Sequence, residues 1–295
     1  MFLVLLTLVT YSALGEPFSN DTAVGDCSGV RRPLSALRGI VYIKNPKCAS
    51  STTAGVVRRI GARHGAPQEE VFGSPRNHIP VEKKWREGNL HISAVHKKAK
   101  ARFSGHSKAF LDSVFKMTTV RHPGKRELSS YFFFEVGRKH KTLSDFYEFA
   151  SAVKFSYKTQ VPYVQTPSAK ATKDIIRFYD LIGVADRLDE SLVLLKLMLD
   201  LSMGDILYMV AKNQTEHRTI YPDFESLPPD TKANLMGNTA SPDWQLFRQA
   251  NGAIDSKIRC FPNFNATLTL YQRHLAASQA TCGFDIANCY WGDNG

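Results

Sequence analysis

The sequence contains no G-x-x-x-x-G-K-[ST] pattern, no C-x-x-C pair, no internal repeat and no low-complexity stretch. The first absence excludes the common nucleoside-triphosphate loop, whose glycines let the backbone wrap around phosphates. The second excludes a zinc ribbon. The other two exclude solenoid arrays and biased linkers. The apolar run at the N-terminus, residues 1–14, falls short of the roughly 20 residues that a membrane-crossing helix needs. Acidic residues are in deficit, 27 Asp and Glu against 38 Lys and Arg, so the net charge is +11. Such a surplus points to an acidic partner: an anionic cofactor, an anionic polymer, nucleic acid or a membrane surface.

What is present narrows those choices. The 295 residues, 43% hydrophobic and 22% charged, suffice for one large α/β domain. Residues 1–15 read as a secretory signal segment, or alternatively as a short signal anchor: an apolar run, no Lys or Arg before it, and Ala13-Leu14-Gly15 as small residues at the cleavage point. Three Asn-x-Ser/Thr sequons, at Asn20, Asn213 and Asn265, agree with a secretory route. Cys27, Cys260, Cys282 and Cys289 lie towards the two ends, and two bridges among them would tie down the tail. Four cysteines allow three pairings, and spacing selects none of them. Cys48 stands alone as a small buried thiol.

Residues 16–38 are a polar lead-in, residues 39–260 the main domain and residues 261–295 a disulfide-tied tail. Strands are expected over 40–43, 90–95, 115–120 and 175–182, with 206–210 closing the sheet. Helices are expected from about 49, over 125–138, 142–153, 189–201 and 244–258, and near 268–278. Residues 157–173 and 222–243 carry prolines and read as loop. Tyr131 to Phe134 and the leucine face of 189–201 read as core packing. Strands alternating with helices predict an α/β fold: a central, mostly parallel sheet flanked by helices.

Two stretches carry chemistry. In Pro46-Lys47-Cys48-Ala49-Ser50-Ser51-Thr52 a strand gives way to a helix through a short turn. Backbone N–H groups, the positive end of a helix dipole, a lysine and several hydroxyls then meet in one place, which makes a phosphate cradle. In Val120-Arg121-His122-Pro123 another strand ends on an arginine, with Ser129 eight residues further on. Arg121, by its forked guanidinium, and Ser129, by its hydroxyl, are placed to converge on one phosphate.

Together these stretches resemble the sulfotransferase superfamily, whose donor is 3′-phosphoadenosine 5′-phosphosulfate. Residues 46–52 are similar to its 5′-phosphosulfate loop, and Arg121 with Ser129 to its 3′-phosphate site. Residues 59–64, 179–196, 205–208 and 243–247 resemble the Golgi-type carbohydrate branch, in particular the galactose-3-O-sulfotransferases. Cys48 departs from the threonine common in that branch, and the long anchor and stem are reduced to a short leader. The resemblance implies a P-loop-like, phosphosulfate-binding strand-loop-helix, a glycan or glycolipid acceptor with a galactose-like sugar favoured, and a place in the Golgi lumen or membrane, or secretion. The apolar leader would supply any membrane association.

The site residues it implies are Lys47, Cys48, Ala49, Ser50, Ser51, Thr52, Arg121 and Ser129 for the donor, with Lys47 also catalytic. The acceptor hydroxyl needs a general base. His96, after the second strand, is the first candidate, with His91 and His106 behind it. No metal is expected, since the cationic loop supplies the charge, and no nucleic acid. The basic run Lys97, Lys98, Lys100, Arg102 is either a solvated face or a site for an anionic acceptor. The competing functions are a secreted, non-catalytic protein that binds acidic glycans and, less favoured, a nucleotide-dependent kinase.

Overall fold

Four short runs, three of them rich in β-branched or aromatic residues, form the sheet: Gly39–Ile43 (β1), His91–Val95 (β2), Val114–Val120 (β3) and Leu181–Val184 (β4). All pair in parallel, in the order β2-β1-β3-β4, with Ile40 beside both Ile92 and Phe115, and Met117 beside Leu181. β1, β3 and β4 are buried along their whole length. That is the pattern of a parallel sheet covered by helices. The computed structural model describes residues 27–68, 90–136, 139, 141–152, 159–208 and 222–282. The leader, the sequons at Asn20 and Asn213, and Cys289 lie outside them.

Helix α1, Ser50–Arg63, follows β1 and packs on β1 and β2. It stops where Gly65 takes φ +84°, and Ala66 N–H closes the end on Gly61 O at 2.8 Å. Two short helices, α2 (Ala99–Phe103) and α3 (Lys108–Ser113), join β2 to β3. After β3 comes α4, Pro123–Tyr131, with proline at its first turn and a π-helical continuation over Phe132–Val136. Helices α5 (Leu143–Ala152), α6 (Val161–Val164) and α7 (Thr172–Phe178) lead to β4. Then follow α8 (Leu188–Leu199), α9 (Met203–Ile206), α10 (Pro229–Met236), α11 (Pro242–Ile258) and α12 (Phe264–Cys282).

The main core surrounds the sheet, with Tyr42, Phe115, Met117, Leu181, Leu192 and Tyr271 fully enclosed. A second core holds Leu128, Phe132, Phe146, Phe224, Leu235 and Trp244, where α4, α5 and α10 meet. Gly124 permits that meeting: a Cβ there would lie 2.8 Å from Leu235 O. Tyr131, Phe132 and the leucine face of α8 contribute to these cores, whereas Phe133 is half-buried beside Lys47 and Phe134 is exposed.

Several expectations are corrected. The strand expected over 175–182 is α7 followed by the shorter β4. Asp174 accepts from the Lys170 and Ala171 N–H groups at 3.0 and 2.9 Å and so starts a helix there. The closing strand expected over 206–210 is not found among the described residues: Ile206 ends the helical turn α9, which Ser202 and Asp205 cap, and residues 209 and 210 lie outside the described residues. The loop expected over 222–243 contains α10, because Pro229 opens a helix rather than breaking one. Residues 161–164, within the other proline-bearing loop, form α6. The tail helix starts four residues earlier and ends four later than its expected bounds of 268 and 278, and Tyr271 OH anchors it on Ile206 O at 3.2 Å. Cys27 pairs with Cys260.

The strand order places a crevice. From β1 the chain passes to β2, and from β3 to β4, in opposite directions along the sheet. Right-handed crossovers put those two connections on opposite faces. The space beyond the carboxyl ends of β1 and β3 is therefore a topological switch point, where open α/β sheets bind ligands.

Candidate functional site

Lys47 to Thr52, Arg121 and His96, among the residues singled out in the sequence, lie at that edge. β1 ends at Ile43, and the loop 44–49 runs into α1. Lys47 and Ala49 both take left-handed backbone, φ 64° and 55°. Neither residue is glycine, so the turn carries strain of the kind stored at functional sites. Ala49 is the N-cap of α1 and gives no side-chain cap, and the first intrahelical bond is Thr53 N–H to Ala49 O at 3.0 Å. The N–H groups of Ser50, Ser51 and Thr52 therefore precede the helix's own hydrogen bonding. Such a terminus, on a 14-residue helix with a lysine beside it, favours an anion.

Arg121 reaches this loop from the end of β3: its Nη1 donates to Lys47 O at 3.3 Å. Its Nε is buried without a hydrogen-bond partner, as is Asn45 Oδ1. The other Asn45 amide atom, Nδ2, donates to Thr119 O at 3.1 Å and ties the two strand ends together. Ser129 sits two turns into α4 and is buried. It shares a helix face with Arg126 and the following Phe133, three before and four after it. Both neighbours touch the loop. Arg126 Nε donates to Pro46 O at 3.2 Å, and Lys47 Nζ stands 3.9 Å from the centre of the Phe133 ring. Ser129 is thus on the face of α4 that meets the cradle.

The cysteine contributes backbone only. Cys48 is fully buried, and its thiol donates towards Gln160 Oε1 at 3.3 Å. Burial pushes the thiol up to about 12, against the pull of Arg126 and Arg121. Ser50 is also buried, while Ser51 and Thr52 are half-exposed and better placed to offer hydroxyls.

His96 follows β2 directly and is exposed. Its Nδ1 lies 3.0 Å from Lys44 O, and a carbonyl oxygen can only accept, so Nδ1 carries the proton. In the neutral ring the lone pair is then on Nε2, the arrangement a general base needs. Tyr163 OH donates to His96 O at 3.1 Å and steadies the backbone. His91, one of the lesser candidates, is buried at the opposite end of β2 beside Gly39. Four residues of strand, about 13 Å, separate it from the cradle edge. His106 packs on Phe110 at a ring separation of 4.9 Å, in the connection between α2 and α3. In the basic run, Lys98 and Lys100 are exposed, and Arg102 turns back to Ser93 Oγ.

Sequence reasoning missed Arg126, Thr159, Gln160 and Asp243. Arg126 bridges Pro46 O and Thr159 Oγ1, the latter at 2.9 Å. Its spacing of three from Ser129 on one helix was the signal available for it. Gln160 had no local signal, because its partners are far along the chain, and Asp243, though it heads the stretch 243–247, had none for its contact with residues 159–161.

A cavity of about 540 Å³ opens between α4 and α5, lined in part by Glu127, Glu135, Asp145 and Glu148. Burial raises the Glu127 carboxyl above its ordinary range. Carboxylates repel anionic ligands, so the cradle, not this cavity, suits a phosphate.

The groups that could hold anions at this edge are the uncapped amides of α1 with Lys47, and Arg121, whose Nε lacks a hydrogen-bond partner, with Ser129 on the facing helix. Comparison of the chain with models of protein families, with curated proteins and with solved structures finds no match.

Proposed function

We propose that this chain is a carbohydrate sulfotransferase of the secretory pathway, transferring a sulfuryl group to a hydroxyl of a glycan or glycolipid sugar. The observation that carries the reading is the contact between Arg121 and the loop holding Lys47 at the switch point of the sheet. It joins, at two neighbouring strand ends, the two stretches that this reading takes as anion sites. The sulfotransferase-like sequence of both stretches supports it.

When bound, 3′-phosphoadenosine 5′-phosphosulfate supplies the sulfuryl group and leaves as the bisphosphate. Lys47 and the amides of Ser50, Ser51 and Thr52 would counter the charge that grows on the leaving side, helped by the hydroxyls of Ser51 and Thr52. Arg121 and Ser129 would hold the 3′-phosphate and fix the register of the donor. His96 Nε2 would take the proton from the acceptor hydroxyl, while the Lys44 carbonyl keeps the ring in the required tautomer. The cation-rich loop carries the positive charge this chemistry needs, so the reading requires no metal. The Cys27–Cys260 disulfide accords with an oxidising compartment.

A second reading, a secreted protein that binds acidic glycans without catalysis, draws on the exposed Lys98 and Lys100 beside His96. Titration calorimetry with adenosine 3′,5′-bisphosphate and with ATP, followed by labelled-sulfate transfer across a glycan panel, separates the two. Binding of the bisphosphate together with transfer to a neutral, galactose-bearing glycan is expected. A protein that binds ATP or acidic glycans but not the bisphosphate would end the sulfotransferase reading.

A further inference from the structure

Gln160 is fully buried, yet both polar ends of its side-chain amide are engaged. Its Oε1 accepts from the Arg121 N–H at 2.9 Å, and its Nε2 donates to the Arg121 carbonyl at 2.8 Å. One side chain thus pairs with residue 121 as a neighbouring strand would. The same Oε1 receives the Cys48 thiol at 3.3 Å, inside the loop that follows β1. The backbone beneath Gln160 is fixed in turn by Asp243, which is 1% exposed. Its carboxylate accepts from the N–H groups of Thr159, Gln160 and Val161 at 2.8, 3.0 and 2.9 Å. A carboxylate held by three backbone donors is a strong, charge-assisted anchor.

We infer that Gln160 is a positioning residue that locks the loop after β1 to the first residue of the loop after β3, with Asp243 holding the lock in place. The lock sets the separation between the Lys47 cradle and Arg121. That it thereby selects ligands with two separated phosphates rests on the sulfotransferase reading; the lock itself does not.

Cys48 reports on the lock. Its thiol is enclosed, touches Gln160 directly and is kept protonated by burial, so it reacts only when the lock opens. Two measurements on the full chain test the inference. Alkylation by iodoacetamide, mapped to Cys48 by mass spectrometry, reads the lock without any ligand. Calorimetry with adenosine 3′,5′-bisphosphate and adenosine 5′-monophosphate reads its consequence. In Gln160→Met, of similar volume but unable to bond, Cys48 alkylation is expected to accelerate at least about tenfold. The preference for bisphosphate over monophosphate is expected to shrink about tenfold. Mere loss of stability would not change that ratio well below the melting temperature. If Gln160→Met does not fold, Gln160→Asn carries the test, since it keeps the amide but is one carbon too short to reach both Arg121 and Cys48 from the same backbone.

Unchanged alkylation overturns the lock. Faster alkylation with an unchanged ratio overturns the positioning of Arg121. A wild-type protein that binds neither nucleotide, while Gln160→Met still exposes Cys48, refutes the sulfotransferase reading and leaves the lock standing.

Discussion

The left-handed backbone at Lys47 makes stability and ligand binding separable by mutation. Its φ of 64° costs a residue with a Cβ about 1–2 kcal/mol relative to glycine. The side chain recovers part of this through its contact with Phe133, 3.9 Å from the ring centre, about 0.5–1 kcal/mol for a half-exposed cation. Lys47→Ala keeps the strain and loses the contact. Lys47→Gly loses the contact but relieves the strain, and costs about 0.4–1 kcal/mol through the freer unfolded chain. The glycine variant is therefore expected to unfold within about 1 kcal/mol of wild type, and to be the more stable of the two by about 1 kcal/mol. Both lose the same ammonium. A hydrogen bond to a charged group contributes about 1.5–3 kcal/mol, so both should bind adenosine 3′,5′-bisphosphate roughly 10- to 100-fold more weakly. Urea denaturation measures the first effect and titration calorimetry the second. An alanine variant more stable than the glycine variant would show that the turn is not strained. Unaltered nucleotide affinity in both would remove Lys47 from the cradle.

Three further outcomes are expected. His96→Ala should lower sulfuryl transfer about 10²- to 10⁴-fold with bisphosphate affinity intact, and near-normal turnover of labelled sulfate would remove His96 from the base role. Burial holds His122 below its ordinary value of 6.5, and its Nδ1 accepts the Lys125 N–H at 3.2 Å, which requires the neutral ring. The stability it contributes is present above the unfolded value and is lost as pH falls from there through the lower folded one; the urea midpoint should drop on acidification, and drop less in His122→Asn, which still caps α4. The Cys27–Cys260 bridge spans 233 residues, for which chain entropy gives an upper figure of about 5 kcal/mol. Removing both cysteines should lower the urea midpoint measurably under non-reducing conditions, and an unchanged midpoint would refute that role.

The parts of the fold that could be read in the sequence are those whose causes are local. β1 and β3 are short apolar runs ended by turn residues, and α8 has leucines at helical spacing, so periodicity alone located them. It failed at α7, where Ile175 and Ile176 are adjacent and serve a helix or a strand equally; the deciding group was Asp174, one side chain bonded to two backbone amides. It failed at α10, because Pro229 stands at the first position of a helix, where its missing N–H costs nothing. The site divides in the same way. Lys47, Arg121 and Ser129 lie in contiguous stretches with a recognisable order. Gln160 is 39 residues from Arg121, and Asp243 is 83 from Gln160. No pattern along the chain marks contacts made across such distances.

Those distant contacts also explain why a cysteine is tolerated inside the cradle. The carbonyls of Pro46 and Lys47 accept from Arg126 and Arg121 respectively. A trans peptide directs its N–H opposite to its C=O, and the chain contains no cis bonds among the described residues. The N–H groups of Lys47 and Cys48 are therefore turned away from the two arginines. The arginines thus orient the peptide planes that a ligand would meet, in addition to supplying positive charge. The side chain at 48 points the other way, into the Gln160 amide. A hydroxyl there, such as that of a threonine, could make the same bond to Gln160 Oε1. A Cys48→Thr substitution would therefore change the contact with Gln160 and leave the donors of the loop where they are.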